Sequence, residues 1–472
     1  MLPARHGLAL SWLPALALAA CAPSQGQAPV VVLAVATSAP VARVDAPADL
    51  ADLADIAAEC ASGAPCEAVG EGEASALAIE IEAAHQAVLD GSYADVPAMV
   101  RLAKLQLQRD HDEPDPDGTT DAARALRNAM RAVAVEDTSA EARLVLALAL
   151  ARSLPRTTSS PDPLVRGLAL DLVGLTLQPA RRGGGTAVRA AAGVLEATLE
   201  RARDHTRPER SSHLGPEPLA PAPPPPPRCS SGEAAAAASA VYCNGLDRLG
   251  RASSRADHEQ AAGTILEGWR ALAPLCEAHD PACPPHVAFG VAAASRAFQA
   301  AGRPAKSIAG AKLVVDRARF PGAAALEPVI SLELADRFYA LGIFEEAAGW
   351  YERAARLLPA APTAAAARAL QIRVALGDEA AATRLAGALA GDGRFPLLER
   401  ARWVVAVAHV VRAARGPAEA ATWIARYQAL LHQEALDADA REATAPLPAP
   451  DPKATGCTPL ACAVGRLARQ RW

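Results

Sequence analysis

The chain has 472 residues, a formal charge of −5 and 51% hydrophobic residues, enough for two to three domains or one long repeat array. The acidic balance leaves no basic stripe, which argues against nucleic acid as a partner, and no apolar run of about 18 residues follows the N-terminal segment, so no transmembrane helix is expected there. Aromatics are only 4% of the chain, and the only lysines are Lys104, Lys306, Lys312 and Lys453. A core with so few rings must pack small residues closely, which suits helices meeting over alanine and leucine.

Residues 1–20 read as an export signal. Arg5 and the terminal amine precede a short apolar run from Gly7 to Ala20, too short to span a bilayer and ending in small residues. Leu18-Ala19-Ala20-Cys21 resembles the lipobox of bacterial lipoproteins. That resemblance implies cleavage before Cys21 and a lipid anchor on Cys21, hence a periplasm-facing site in the cell envelope. Ala22, where enterobacterial sorting would read an Asp as a retention signal, implies the outer membrane. An ordinary secretory signal with a chance cysteine is the alternative. Residues 21–72 are expected as the lipidated cysteine and a flexible tether, with Val30-Val31-Val32-Leu33 read as linker rather than strand.

Nine cysteines become eight once Cys21 is set aside, and these fall into close pairs: Cys60 with Cys66, Cys229 with Cys243, Cys276 with Cys283, and Cys457 with Cys462. Eight cysteines allow 105 connectivities, so spacing does not prove a pairing. Nearest-neighbour disulfides are the simplest expectation and agree with export. Each would be a local loop clip worth ~2–3 kcal/mol. The rival at 276–286 is a metal loop, Cys276-x2-His279-x3-Cys283-x2-His286, which has the ligand types of a zinc site without zinc-finger spacing. No metal or cofactor is expected.

Residues 73–203 are expected as an N-terminal helical module. Leu77, Ile81, Ala84 and Val88 recur at helical spacing over Glu73–Asp90. Further helices are expected at Val96–Gln108, Asp121–Val135, Ala140–Leu154, and as a pair within 162–203 around Gly183-Gly184-Gly185. The acidic stretch Asp110–Asp121 fails as a calcium loop: with Gly118 as the invariant glycine, Arg124 stands where a bidentate glutamate is needed. Residues 204–232 hold five consecutive prolines, Pro223 to Pro227, and read as a semi-rigid spacer. Residues 233–435 are expected as a C-terminal helical module. Residues 436–472 are expected as an Ala/Pro-rich tail that carries Cys457 and Cys462, with a short helix after them at Ala463–Arg471.

The strongest repeat signal lies at Pro328–Ala361. Ala335, Phe338, Gly342, Phe344, Ala347, Tyr351, Ala354 and Pro359 fall in order at small, aromatic, turn and terminator positions. This pattern resembles the tetratricopeptide repeat (TPR). Ser295-x2-Phe298-x3-Gly302-Arg303-Pro304, Leu376-Gly377-Asp378 and Arg415-Gly416-Pro417 look like weaker copies, and Gly91-Ser92-Tyr93 marks a degenerate unit. The resemblance implies an all-α, right-handed solenoid, as two arrays joined by the proline-rich spacer. The phrases Ala297–Pro304 and Trp350–Ala355 are also similar to TPR lipoproteins of myxobacteria.

Catalytic motifs are not found: no Gly-x-Ser-x-Gly elbow, no His-Glu-x-x-His, no phosphate loop. His409 and His85 read as packed helix residues, and Glu345-Glu346 as a helix start favoured by the dipole. Arg353 and Arg356 read as a solvated stripe with a binding-face role as the alternative. Trp350, Trp403 and Trp423 read first as core and second as groove anchors. The expected function is non-enzymatic: a membrane-anchored scaffold binding envelope proteins through the concave face of residues 285–435. The alternatives are a cell-wall hydrolase acting from a helical groove and the metal loop at 276–286.

Overall fold

The computed structural model describes residues 71–109, 119–203, 214–316, 320–358, 363–447 and 459–470, and among them the chain is all-α, with no strand. The first set of helices is α1 (Glu71–Asp90), α2 (Val96–Arg109), α3 (Asp121–Val135), α4 (Ala140–Ser153), the single turn α5 (Pro155–Thr158), α6 (Pro163–Gly183) and α7 (Thr186–Ala202). After the proline-rich stretch come α8 (Ser231–Ala235), α9 (Ala240–Arg251), α10 (Arg255–Glu277), α11 (Val287–Ala300), α12 (Pro304–Asp316), α13 (Ala323–Leu341) and α14 (Phe344–Leu357). The chain continues through α15 (Thr363–Ala375), α16 (Glu379–Gly391), α17 (Leu397–Arg415), α18 (Pro417–Ala425), α19 (Gln428–Gln433), α20 (Asp437–Thr444) and α21 (Pro459–Arg469). These bounds match the periodicity closely, with three differences, the first being α20, a helix inside the stretch expected as an Ala/Pro-rich tail. Pro328 lies inside α13 rather than opening it. At the tail, α21 starts four residues ahead of the expected Ala463.

Local chemistry explains where the helices start. Thr120, Ser139, Asp162 and Asp378 each accept a backbone N–H of the first turn that follows, and Ser254 forms a capping box with Asp257. Where helices stop, a repeated device appears. Gly302, Gly342 and Gly377 have φ of 74°, 78° and 70°. After each, the next amide closes back to a carbonyl five residues earlier: Arg303 to Phe298 at 2.8 Å, Ile343 to Phe338 at 2.9 Å and Asp378 to Arg373 at 3.0 Å. This is the Schellman closure, and its left-handed residue favours glycine. Successive hairpins α11/α12, α13/α14 and α15/α16 therefore turn the same way.

Small residues set the packing distances. Consecutive helices pack on one another along both sets. Tyr242 of α9 is fully buried, and a Cβ on Gly268 would lie 2.2 Å from its backbone N while one on Gly290 would lie 2.1 Å from its hydroxyl. The ring fits because both facing helices offer glycine. In α4 every residue from Ala142 to Ala151 is buried, so this helix is wrapped on all sides.

What wraps α4 comes from both sets of helices. The described helices belong to one compact unit. Helix α6 packs on α15 and α17, and α3 packs on α12 and α13. Arg143 of α4 donates from Nη1 to the Ala340 carbonyl at 2.7 Å, and burial pushes its pKa down to about 10. The tail also differs from expectation: α21 packs on α2, α4 and α7, burying Leu460, Ala463, Val464, Leu467 and Ala468. The physical reason is shared. The Ala/Leu faces of both sets are wider than one hairpin neighbour can cover, and each set covers the other.

The position of Cys462 is a correction. The sequence reading puts Cys462 in a loop ahead of the last helix, whereas Cys462 lies inside α21 itself, in its first turn. The reason is Pro459, whose fixed φ and missing N–H suit the first helical position, so the helix opens before the cysteine rather than after it. The expected partner, Cys457, lies outside the described residues, and so does the pairing of Cys457 with Cys462. The tether 21–72, apart from the first residues of α1, is likewise outside them, as are the acidic loop 110–118, Cys21, Cys60, Cys66 and Pro359, and with them the expected pairing of Cys60 with Cys66.

Candidate functional site

The hairpin α13/α14 places its signature residues inward. Ala335, Phe338, Phe344, Ala347, Tyr351 and Ala354 are all buried, and Gly342 caps α13. A Cβ on Gly342 would stand 3.1 Å from both Leu146 and Thr176, so this turn is also where α4 and α6 approach the second set. Tyr339 packs edge-on to Phe344 at 5.5 Å and to Tyr351 at 6.2 Å.

Polar residues on α11, α13 and α15 make the surface beside this aromatic core. Glu333 accepts from Arg296 and Arg337, and Arg337 also donates to Ser295 Oγ at 2.6 Å. Burial pushes the Arg337 pKa down to about 10, with Glu333 opposing the fall. Asp336 Oδ1 accepts from the Tyr351 hydroxyl at 2.6 Å. Burial, and then the Asp336 charge, raise the Tyr351 phenol above its ordinary value, so it stays a donor. Arg368 lies over the Tyr339 ring at 5.0 Å and the Tyr351 ring at 5.9 Å.

An extended segment of the chain lies in this surface. Residues 214–229, read from sequence as part of a spacer, are held as a strap. Leu214 is buried, and its amide donates to Asp171 of α6 at 3.4 Å. The Tyr339 hydroxyl donates to the Gly215 carbonyl at 3.1 Å, and Arg368 donates to the Glu217 carbonyl. Asp336 Oδ2 accepts the amides of Leu219 at 2.9 Å and Ala220 at 2.6 Å. Every one of these contacts is to main chain. Prolines 216 and 218 have no N–H to satisfy and are exposed. Composition reads this stretch as a spacer and could not foresee that residues 214–220 make main-chain contacts with α6, α13 and α15.

The far end of the strap is stapled. Cys229 and Cys243 form a disulfide with an S–S distance of 2.06 Å, and Cys276 and Cys283 form another at 2.07 Å. The rival ligand set at 276–286 does not converge: two of its members are bonded to each other, and the His286 ring faces Cys229 and Glu233 instead.

A second polar cluster ties α6 to α17. Asp162 is fully buried, capping α6 through Oδ1 and accepting from Arg412 and His409 through Oδ2. His409 is thus a packed, partnered residue. Trp403 and Trp423 are buried, the latter donating to the Val404 carbonyl at 2.9 Å. Trp350 is half-buried between Lys312 and Arg353, and Arg353 pairs with Glu327 at 2.7 Å. Glu345 and Glu346 occupy the first turn of α14. An open cleft of about 660 Å³ lies elsewhere between Asp95, Glu136, Arg255 and Arg303, and its Glu259 is held by Arg303 and Lys306.

Sequence reasoning missed Asp336, Arg368 and Asp162. Asp162 carried a local signal, an Asp directly before a helix-opening Pro163, whereas half-buried Asp336 and Arg368 carried none. No protein-family model matches the chain, and no curated protein matches it.

Proposed function

We propose that the protein is a non-enzymatic, TPR-like scaffold that binds extended segments of partner proteins at the Asp336–Tyr339–Tyr351–Arg368 surface. The observation that carries this is the strap itself: four main-chain groups of residues 215–220 are held by three side chains. Main-chain recognition tolerates different side chains, so a partner segment of similar extended, proline-containing form can take the place of the strap. The tethered strap competes at an effective concentration on the order of millimolar, which limits binding to partners of higher intrinsic affinity or to conditions that loosen it. The resemblance of Leu18–Cys21 to a lipobox supports placing this scaffold at a bacterial membrane facing the periplasm, with envelope proteins as partners.

The test replaces residues 204–228 with a Gly/Ser linker of equal length and measures binding of a labelled peptide of sequence 214–222 by fluorescence anisotropy. Saturable binding that is lost in Asp336→Asn and Arg368→Ala is expected. A folded, strap-replaced protein that ignores the peptide would remove the proposal.

A further inference from the structure

We propose that Cys229, Cys243, His286 and Glu233 form a binding site for a zinc-class divalent cation when the Cys229–Cys243 disulfide is reduced, so that one place holds either the disulfide or the metal. The donors already converge. Cys229 Sγ lies 3.8 Å from His286 Nε2, the nitrogen that would take the ion, and the other ring nitrogen, Nδ1, lies 3.7 Å from Glu233 Oε1, which orients the ring until the carboxylate swings to the ion. One ligand atom from each of these three residues falls within 4.8 Å of the others. Cys243 Sγ lies outside that trio but is bonded to Cys229 Sγ, so reduction frees a second sulfur next to it that has to swing toward His286 to complete the set. Tetrahedral zinc with Zn–S of about 2.3 Å and Zn–N of about 2.0–2.1 Å needs donors roughly 3.3–3.8 Å apart. Two thiolates, an imidazole and a carboxylate make a set that this ion favours.

The surroundings hold these groups in place. Glu233 Oε2 accepts the Ser230 amide at 2.7 Å and the Ser230 hydroxyl at 2.9 Å, which leaves Oε1 toward the imidazole. Tyr242, seated over Gly268 and Gly290, donates to the His286 carbonyl at 3.2 Å and stands beside the ring with centroids 5.9 Å apart. Cys229, Glu233 and His286 are half-buried, so an ion and a reductant both have access. The two sulfurs and the histidine come from separate segments, so no linear spacing motif announces the set.

The exchange balances with an external dithiol. The disulfide gains two electrons and two protons to become two thiols, and the dithiol becomes a disulfide. The incoming cation then displaces both thiol protons to solvent. Exchange with an external disulfide runs the step backwards: the two thiolates give up two electrons and re-form the Cys229–Cys243 bond, the external disulfide is reduced to its dithiol, and the ion is released. Either occupant fixes residue 229, the end of the strap.

The test uses the full purified chain, oxidised and after reduction by a phosphine that is then removed under anaerobic conditions. Each form is titrated with Zn²⁺ and with Co²⁺, and thiol alkylation is mapped by mass spectrometry. In the reduced chain, Co²⁺ should give thiolate charge-transfer absorption, and Zn²⁺ should slow alkylation of Cys229 and Cys243 at least about tenfold while leaving the slower rates of buried Cys276 and Cys283 unchanged. His286→Ala and Glu233→Gln should weaken metal binding by about 10–100-fold. The oxidised chain should show no charge-transfer band. Equal alkylation of wild-type Cys229 and Cys243 with and without Zn²⁺ would overturn the proposal, as would protection that His286→Ala leaves unchanged. The wild-type alkylation comparison needs no variant, and His286→Ala is read only where its far-UV circular dichroism matches wild type.

Discussion

Replacing Asp162 with alanine tests how the two sets of helices are locked together. Asp162 has no exposed surface, and its two oxygens do separate jobs. Oδ1 accepts the Leu164 and Val165 amides, and Oδ2 accepts Arg412 and His409. Removing one member of a buried ion pair costs about 3–5 kcal/mol, because the other charge is left without compensation. Arg412 keeps the Glu442 and Ala445 carbonyls, which puts the loss at the low end of that range. Loss of the helix cap adds ~1 kcal/mol. A destabilisation of about 4 kcal/mol is therefore expected, read as a shift of the urea midpoint followed by far-UV circular dichroism. The decisive comparison is Asp162→Ala with Arg412→Met, singly and together. Groups in one buried network should couple by at least about 1 kcal/mol, so the double variant should lose less than the two singles combined. Additivity within about 0.5 kcal/mol would refute the claim that this pair joins α6 to α17.

Acid should report on the same residue. Burial alone would raise the Asp162 pKa, but the hydrogen bonds and charges of His409 and Arg412 outweigh it and hold the carboxyl below its ordinary value of 3.8. A depressed pKa contributes stability that is fully present above the ordinary value and is lost as pH falls through the native one. Wild-type stability should therefore drop below about pH 4, and Asp162→Asn should flatten that limb in urea titrations at stepped pH. Gly342→Ala should cost about 1–2 kcal/mol, because a Cβ is strained in the left-handed region and Leu146 and Thr176 stand close, whereas Gly193→Ala, with open space around it, should be neutral or stabilising by thermal melt. Tyr351→Phe removes one donor to Asp336 and should speed amide exchange at Leu219 and Ala220 more than at the α13 core; equal protection would show that the strap does not depend on that network. The Cys229→Ser/Cys243→Ser double variant should become more sensitive to trypsin at Arg228, and unchanged digestion would mean the staple does not hold the strap.

Much of the helix pattern could be read in advance. Apolar spacing and turn residues are local signals, and they place the ends of the first helices, Glu71–Asp90 to Ala140–Ser153, within a residue or two. Gly302, Gly342 and Gly377 were legible as turns for the same reason. The polar surface was not. Asp336 and Arg368 are 32 positions apart, and only the stacking of α13 on its neighbours brings them to one strap. The docking of α6 on α15 and α17 was equally hidden, since an apolar helix face does not say which other face will cover it. The two central disulfides were readable because their partners are near in sequence, whereas the approach of His286 to Cys229 required the fold. At the tail, closeness of Cys457 to Cys462 suggested a loop, and the helix-opening role of Pro459 between them was overlooked.

The placement of α21 has a consequence for the order in which the protein can be finished. This helix fills a space between α2, α4 and α7, and Lys104 and Gln108 of α2 donate to the carbonyls of Gln470 and Ala468. The earliest helices are thus completed by the latest one. As the chain is synthesised, α2 and α4 must wait with an apolar side uncovered until residue 459 and beyond have emerged. A truncation that removes only α21 would strip cover from the opposite end of the sequence, and its damage should surface among the first helices to be made.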